Sequence, residues 1–337
     1  MAPVEEAVPP IAYGGIEQVV HLLDRELTVR GHEVILLAAG GSSAAGRLVA
    51  LTPEPLAVSG TERDVALLAA GKDAAARRAA ELIADERPDV VLNHSWRTLD
   101  YLDGCPSLTT VHFPLDGGPY REVFLARAKA EYVSISLAQQ RHAPQISFAG
   151  NVYNGIDVES FPYGTDAGDY LAFLGRVTPE KGLDIAIRVA RTAGIPLRVG
   201  AKIDAALRPW FDQVIAPLMR EGGVEFLGEV EASEKGKLLA GAIALLHPSR
   251  WQEPFGLAMV EAMACGTPVL ALRRGAADEV IAHGRTGFVV DDEAALLQAL
   301  AHVGEIDRAA CRAHVANTFD CRHMASGYEQ LAERIAR

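Results

Sequence analysis

Short β-branched and apolar runs alternate with amphipathic stretches almost from end to end of this 337-residue chain. Glu33–Ala38 (EVILLA), Asp89–Asn93 (DVVLN), Ser107–His112 (SLTTVH), Asp169–Gly175 (DYLAFLG), Pro196–Ala201 (PLRVGA), Val224–Gly228 (VEFLG) and Ala242–Pro248 (AIALLHP) read as buried strands. Helical spacing lies between many of them. Ile16, Val19, Val20, Leu23 and Leu27 fall at i, i+3, i+4, i+7 and i+11, and Gly31 stops that helix. Such alternation predicts an α/β fold, with parallel sheets covered by helices on both faces. Asn151–Asp169 is dense in Gly, Pro, Asn and Asp, lacks helical period, and is followed by a new strand–helix series. The chain therefore divides into two Rossmann-like, doubly wound halves, residues 1–162 and 163–318. Met324, Tyr328, Leu331 and Ile335 form a helical stripe in the tail. Two such halves facing one another predict a crevice at the carboxyl ends of their strands, where open α/β sheets bind ligands. Fold alone selects no chemistry.

Composition narrows the classes. A hydrophobic fraction of 49% supplies sizeable cores and excludes wholesale disorder. Lys and Arg number 32 against 44 Asp and Glu, a formal charge of −12. That balance argues against a nucleic-acid binder and leaves membrane contact peripheral at most. Cys105, Cys265, Cys311 and Cys321 form no CxxC pair, so neither a disulfide framework nor a structural zinc site is expected. No run approaches the roughly eighteen apolar residues of a membrane span, and no secretory leader pattern follows Met1. The expected setting is the reducing cytoplasm.

Three segments carry candidate chemistry. Trp251–Leu272 (WQEPFGLAMVEAMACGTPVLAL) follows a strand and opens a helix near Phe255, Gly256 and Leu257. Free amides at a helix start favour phosphate, and Gly256 permits close backbone approach. Glu253 falls in the loop ahead of that helix and Glu261 about a turn inside it, so the pair can accept hydroxyls at different depths of one ligand. Phe173–Ala190 (FLGRVTPEKGLDIAIRVA) places Arg176 and Lys181 at a strand-to-helix turn, a plausible diphosphate clamp. Pro9–Val20 (PPIAYGGIEQVV) feeds Gly14 and Gly15 into the first helix. GxGxxG, the P-loop pattern, GxSxG and HExxH are absent, and no catalytic metal is indicated.

The Trp251–Leu272 segment closely resembles the E-x7-E signature of retaining glycosyltransferases of family 4, which have the GT-B fold. The G-R…K-G element, the glycine-rich loop and His283–Val290 (HGRTGFVV) extend the likeness from about Glu6 to near the end. The resemblance implies a retaining, metal-independent transferase that moves a sugar from a nucleotide diphosphate, with UDP the expected carrier. No further cofactor is implied, and the acceptor is a small molecule, glycan or lipid. It gives residues 163–318 the donor, residues 1–162 most of the acceptor, and returns residues 319–337 to the first half. By resemblance Arg176 and Lys181 hold the leaving diphosphate, and Glu253 meets the transferred sugar. Glu261 meets the ribose, Gly14 and Gly15 line the crevice, and His112 contacts the donor sugar near the reacting carbon. His94 is a weaker crevice candidate, and Lys202 a phosphate or sugar contact less favoured than a solvated charge. Phe226, Leu227 and Val230 are expected in the core, with backbone near Val230 at the edge of the base. Family members begin with a strand ahead of the glycine loop that is missing here. Its loss predicts two unpaired neighbouring strands and a groove in the first core. A GT-B epimerase or phosphorylase, or a non-catalytic nucleotide-sugar binder, are the rival readings.

Overall fold

The computed structural model describes residues 1–11, 14–56, 62–102, 104–127 and 130–336, the side chains of residues 62–65 excepted. Ala12 and Tyr13 of the glycine loop lie outside the described residues. The chain forms two units, Met1–Gly155 with Cys321–Arg337, and Ile156–Asp320.

In the first unit, β1 (Ile35–Ala39) pairs in parallel with β2 (Arg47–Thr52). β3 (Val91–Asn93), β4 (Ser107–Val111), β5 (Tyr132–Ser134) and β6 (Phe148–Asn151) form a second parallel sheet in that order. The segment Met1–Val4 lies between them. The Ala2 amide donates to Leu37 O at 2.9 Å, the Met1 nitrogen to Leu92 O at 2.7 Å, and the His94 amide to Met1 O at 3.1 Å. Ala2 and Val4 are buried. The expectation of two unpaired neighbours is corrected in part: Met1 and Ala2 bond to both β1 and β3, although among the described residues no strand forms between the two sheets. The amphipathic helix Gly15–Val29 buries Val19, Val20, Leu22 and Leu23.

The second unit has one six-stranded parallel sheet, ordered β12-β11-β10-β7-β8-β9. Its strands are β7 (Leu171–Arg176), β8 (Leu197–Lys202), β9 (Val224–Gly228), β10 (Leu245–His247), β11 (Val269–Leu272) and β12 (Gly287–Val290). Renumbered from its first strand, this is the 3-2-1-4-5-6 order with its switch point between β7 and β10. Leu171, Phe173, Val199, Leu246 and Leu270 fill its core against Leu183, Ile187 and Leu296 of the covering helices. A sheet buried on both faces explains the continuous apolar runs.

The units divide seven residues before the expected 162/163 boundary. The Ile156 amide donates to Phe319 O at 2.9 Å, and Arg312 donates to the carbonyls of Val158 and Phe161 at 3.0 Å each. Those bonds hold the irregular segment to the second unit. Val158 is buried by them although no helical or strand period marks it.

The final helix, Cys321–Ile335, packs within the first unit. Met324, Tyr328 and Leu331 are its buried stripe, and Tyr328 Oη meets Thr110 Oγ1 at 2.7 Å in the interior. Arg30 ties the outer face to Glu329 at 2.8 Å. Tyr328→Phe leaves the Thr110 hydroxyl without that partner and should cost about 1–3 kcal/mol. Thr110→Val added to it should cost less than the two single changes summed, because the unsatisfied group is gone. Urea titrations of the four proteins check the cycle; strict additivity would mean that the bond does not dock the helix.

Candidate functional site

The switch point fixes which loops meet. Arg176 ends β7, Lys181 follows it in the turn Pro179–Lys181, and Glu253 follows β10. Lys181 Nζ lies 2.5 Å from Glu253 Oε2 although the residues are 72 apart in sequence. Glu253 is buried, and Trp251 Nε1 donates to the same Oε2 at 2.8 Å. His247 Nε2 stands 3.5 Å from it. Among the described residues Oε1 accepts no hydrogen bond, so one carboxylate oxygen is engaged and the other is left for a ligand. Burial opposes ionisation of Glu253, but the Lys181 charge and the His247 and Lys181 contacts overcome it. The carboxyl is held well below the usual range.

The loops are locked by backbone. The Arg250 amide donates to Glu180 O at 2.7 Å, and the Arg250 guanidinium binds Asp184 in the next helix at 2.5 and 2.8 Å. Gly275, at φ 56°, lies so close to Glu253 that a Cβ there would stand 2.1 Å from Glu253 O. The Ala276 amide donates to that carbonyl at 2.9 Å. Gly275 was not read from the sequence; a lone Gly in RRGA carries no signal of what it packs against.

Glu261 is buried in the first turns of the helix Leu257–Ala264. Lys235 Nζ binds its Oε1 at 2.5 Å, a partner that sequence reading did not supply. Gly256 occupies the N-cap at φ 90°, and no side chain caps this helix. Its first amides are left for an anion. Leu257 opens the helix. The Phe255 side chain is in the core, edge-on to Phe319 at 5.6 Å, so it is not presented to a ligand. Arg176 and Lys202 are register partners at the ends of β7 and β8, with Asp204 3.7 Å from Arg176 and Glu229 3.9 Å from Lys202. Lys202 thus joins the cations at the carboxyl edge. Val230 packs over Gly200 of β8. Phe226 is half-buried against the core, whereas Leu227 is 41% exposed, against its expected place inside.

His112, just past β4, belongs to the first unit. Its Nε2 is 2.9 Å from His94 Nδ1, and burial lowers the pKa of both rings, with mutual proximity adding to the effect at His94. Both are neutral at pH 7. Gly14 caps the helix that Gly15 opens, and Glu17 in its first turn is buried. Burial pushes the Glu17 carboxyl up to about 7, opposed by its own amide and Lys72 and reinforced by Glu5 and Glu6. No group of three or more His, Cys, Asp or Glu among the described residues has the spacing to hold a metal ion. No helix among them is long and apolar enough to cross a membrane.

Two Rossmann-like parallel-sheet units, the second carrying cations and a buried carboxylate at its switch point, have the architecture of the GT-B fold, and the comparisons support a glycosyltransferase. The model described as Glycosyltransferase Family 4 matches residues 13–148, and that described as Glycosyl transferases group 1 matches residues 159–307. A glycogen synthase of Mycobacterium tuberculosis is 26% identical over 83% of this chain and 79% of its own length. A D-inositol 3-phosphate glycosyltransferase of Pseudarthrobacter chlorophenolicus is 32% identical over 53% of this chain and 46% of its own. Among solved structures, AviGT4, a glycosyltransferase involved in avilamycin A biosynthesis, superposes with a TM-score of 0.74 at 23% identity, covering 98% of this chain and 93% of that one. Anabaena Alr3699/HepE in complex with UDP-glucose gives 0.68 at 19% identity, covering 95% of each.

Glu17 generates a pH prediction. Its folded pKa of about 7 exceeds the unfolded carboxylate value of roughly 4.3, so its stability contribution is complete below that value and is lost as pH rises through 7. Glu17→Gln, always neutral, should match the wild type near pH 4 and become progressively more stable than it up to a plateau above about pH 8. Urea titrations across that range measure the gap; a gap that stays constant would show that Glu17 ionises freely in the fold.

Proposed function

We propose that this protein is a retaining, metal-independent glycosyltransferase using a nucleotide-diphosphate sugar, with UDP as the carrier. The observation that carries the reading is the meeting of Lys181 and Glu253 at the switch point, one charge suited to a leaving diphosphate and the other to sugar hydroxyls. UDP is favoured because the fold neighbour Alr3699/HepE is described in complex with UDP-glucose. The acceptor stays at the level of a small molecule, glycan or lipid.

In this reading the diphosphate lies along the carboxyl edge of β7 and the uncapped start of the helix Leu257–Ala264. As the anomeric C–O bond breaks, negative charge grows on the β-phosphate, and Lys181, Arg176 and the helix amides stabilise it in place. Glu253 Oε1 accepts from hydroxyls of the transferred sugar, holding the ring while Oε2 stays bound to protein donors. Glu261 accepts from the ribose, and His112 is assigned to the donor sugar. Front-face attack then gives retention: the acceptor oxygen bonds to the anomeric carbon and its proton passes to the departing phosphate oxygen. Protein cations take the charge that a divalent ion carries in other sugar-nucleotide enzymes.

The first test is a thermal-shift screen of UDP, GDP and ADP with their glucose conjugates, followed by product analysis with and without EDTA. Stabilisation should scale with ligand concentration, and transfer should survive chelation. Loss of transfer to EDTA with restoration by Mg²⁺ or Mn²⁺ would remove the metal-free assignment. Binding without release of nucleotide in any assay would make the chain a binder. Variants divide the roles. Lys181→Ala should lower turnover about a hundredfold or more, as for a lost oxyanion donor. Glu261→Ala should weaken free nucleotide and donor alike by about tenfold to a hundredfold. Glu253→Ala should reduce transfer while leaving the affinity for free nucleotide nearly unchanged. Equal, small effects of the two Glu changes on both ligands would sink the assignment.

A further inference from the structure

Trp251 touches both members of the Lys181–Glu253 pair, yet neither ion-pair logic nor core packing requires an indole there. Its Nε1–H donates to Glu253 Oε2 at 2.8 Å, and its ring face carries Lys181 Nζ 4.8 Å from the centroid. Its carbonyl also accepts the Glu253 amide at 2.9 Å. The side chain is only half-buried, so it does not fill a core void. Edge and face therefore act on different partners. The edge fixes which carboxylate oxygen is engaged, because Trp251 and Lys181 converge on Oε2 and none of the described donors reaches Oε1. The face lies against the ammonium, and an aromatic face attracts a cation.

Resting on the donor-site reading above, we infer that Trp251 is a positioning residue with two separable duties: its N–H orients Glu253 for sugar recognition, and its ring face places Lys181 for the diphosphate. A Phe keeps the face and removes the N–H; a Leu removes both. The separation follows from ring chemistry alone, since an aromatic face attracts a cation without any donor on its edge.

The experiment uses the full chain and whichever nucleotide wins the thermal-shift screen. Two quantities are read: the ratio of kcat/KM for its glucose and galactose conjugates, and the Kd of the free diphosphate by calorimetry. Trp251→Phe should lower the ratio about tenfold, as for a lost hydrogen bond to a charged group, and change the Kd by less than about twofold. Trp251→Leu should lower the ratio equally and also weaken the diphosphate by about fivefold. Melting curves and Glu253→Ala and Lys181→Ala controls accompany both. If the controls lose activity while Trp251→Phe keeps full discrimination, the inference is wrong and the donor site stands. A loss in Trp251→Phe that is uniform across both sugars and the free diphosphate overturns it too, since a merely structural residue would behave so. Silent controls bring down the donor-site reading and this inference together.

Discussion

The contact between Lys181 and Glu253 is the constraint on which the second unit's candidate site depends. Withdrawing an ammonium and a carboxylate from water costs more than their attraction returns unless the remaining lone pairs and protons find partners. Here one oxygen gathers Lys181 and Trp251 with His247 nearby, while the other accepts none from the described residues. With no donor among the described residues, the second oxygen is open to a hydroxyl, and against the cost of burial the Lys181 charge holds the carboxyl well below its usual range.

Holding the half-buried Lys181 ammonium 2.5 Å from the buried Glu253 carboxylate demands rigid loops, and the surroundings supply them. Asp184 binds Arg250 from the β10 loop and Arg188 from its own helix, and Arg188 continues to Glu293 at 2.7 Å. The turn after β7, the loop after β10 and the helix Glu293–Leu300 are thereby tied through side chains that touch no candidate ligand residue. Gly275 and Ala276 press on the Glu253 backbone from β11's far end. The parallel sheet sets which loops are neighbours, and these bonds set their spacing to the ångström scale that preorganisation requires.

Much of this was legible in the chain. The alternation of apolar runs and helical spacing revealed both doubly wound sheets, because strands buried on both faces must be apolar throughout. β2, β5, β6, β11 and β12 were not picked out as strands. Tyr132–Ser134 is only three residues, β2 alternates weakly, and Val269–Leu272 sits inside a motif read for its chemistry. Arg176 and Lys181 stood out as candidates because charge at a strand-to-helix turn is a local pattern, and Glu253 and Glu261 because their segment resembles a known motif. Their partners did not. Lys235 and Gly275 reach the Glu pair across 26 and 22 residues, and such contacts have no sequence period. The boundary was misplaced for the same reason: Ile156–Ser160 looks like linker until Arg312, far downstream, binds its carbonyls. The strand position between β1 and β3 shows the reverse. Motif comparison led to the expectation of two unpaired neighbours, whereas Met1 and Ala2 bond to both β1 and β3.

Charge places the last requirement on recognition. The chain carries −12 overall, so its distant field opposes an anionic ligand, and that field is screened beyond roughly 8–10 Å at ordinary ionic strength. Attraction must therefore arise at contact, from cations gathered where the acidic surface is locally overruled. The second unit meets this condition at the ends of β7 and β8, with Arg176 and Lys202 in register and Lys181 in the turn between β7 and its helix. Each of the three has a carboxylate within 4 Å, Asp204, Glu229 and Glu253, which limits their repulsion without removing their charge. In the proposed reading, an arriving diphosphate competes with those carboxylates rather than with water alone. Affinity then depends on how firmly each carboxylate is held elsewhere. Glu253 is the one held a second time at the same oxygen, by the Trp251 N–H at 2.8 Å, with His247 3.5 Å away.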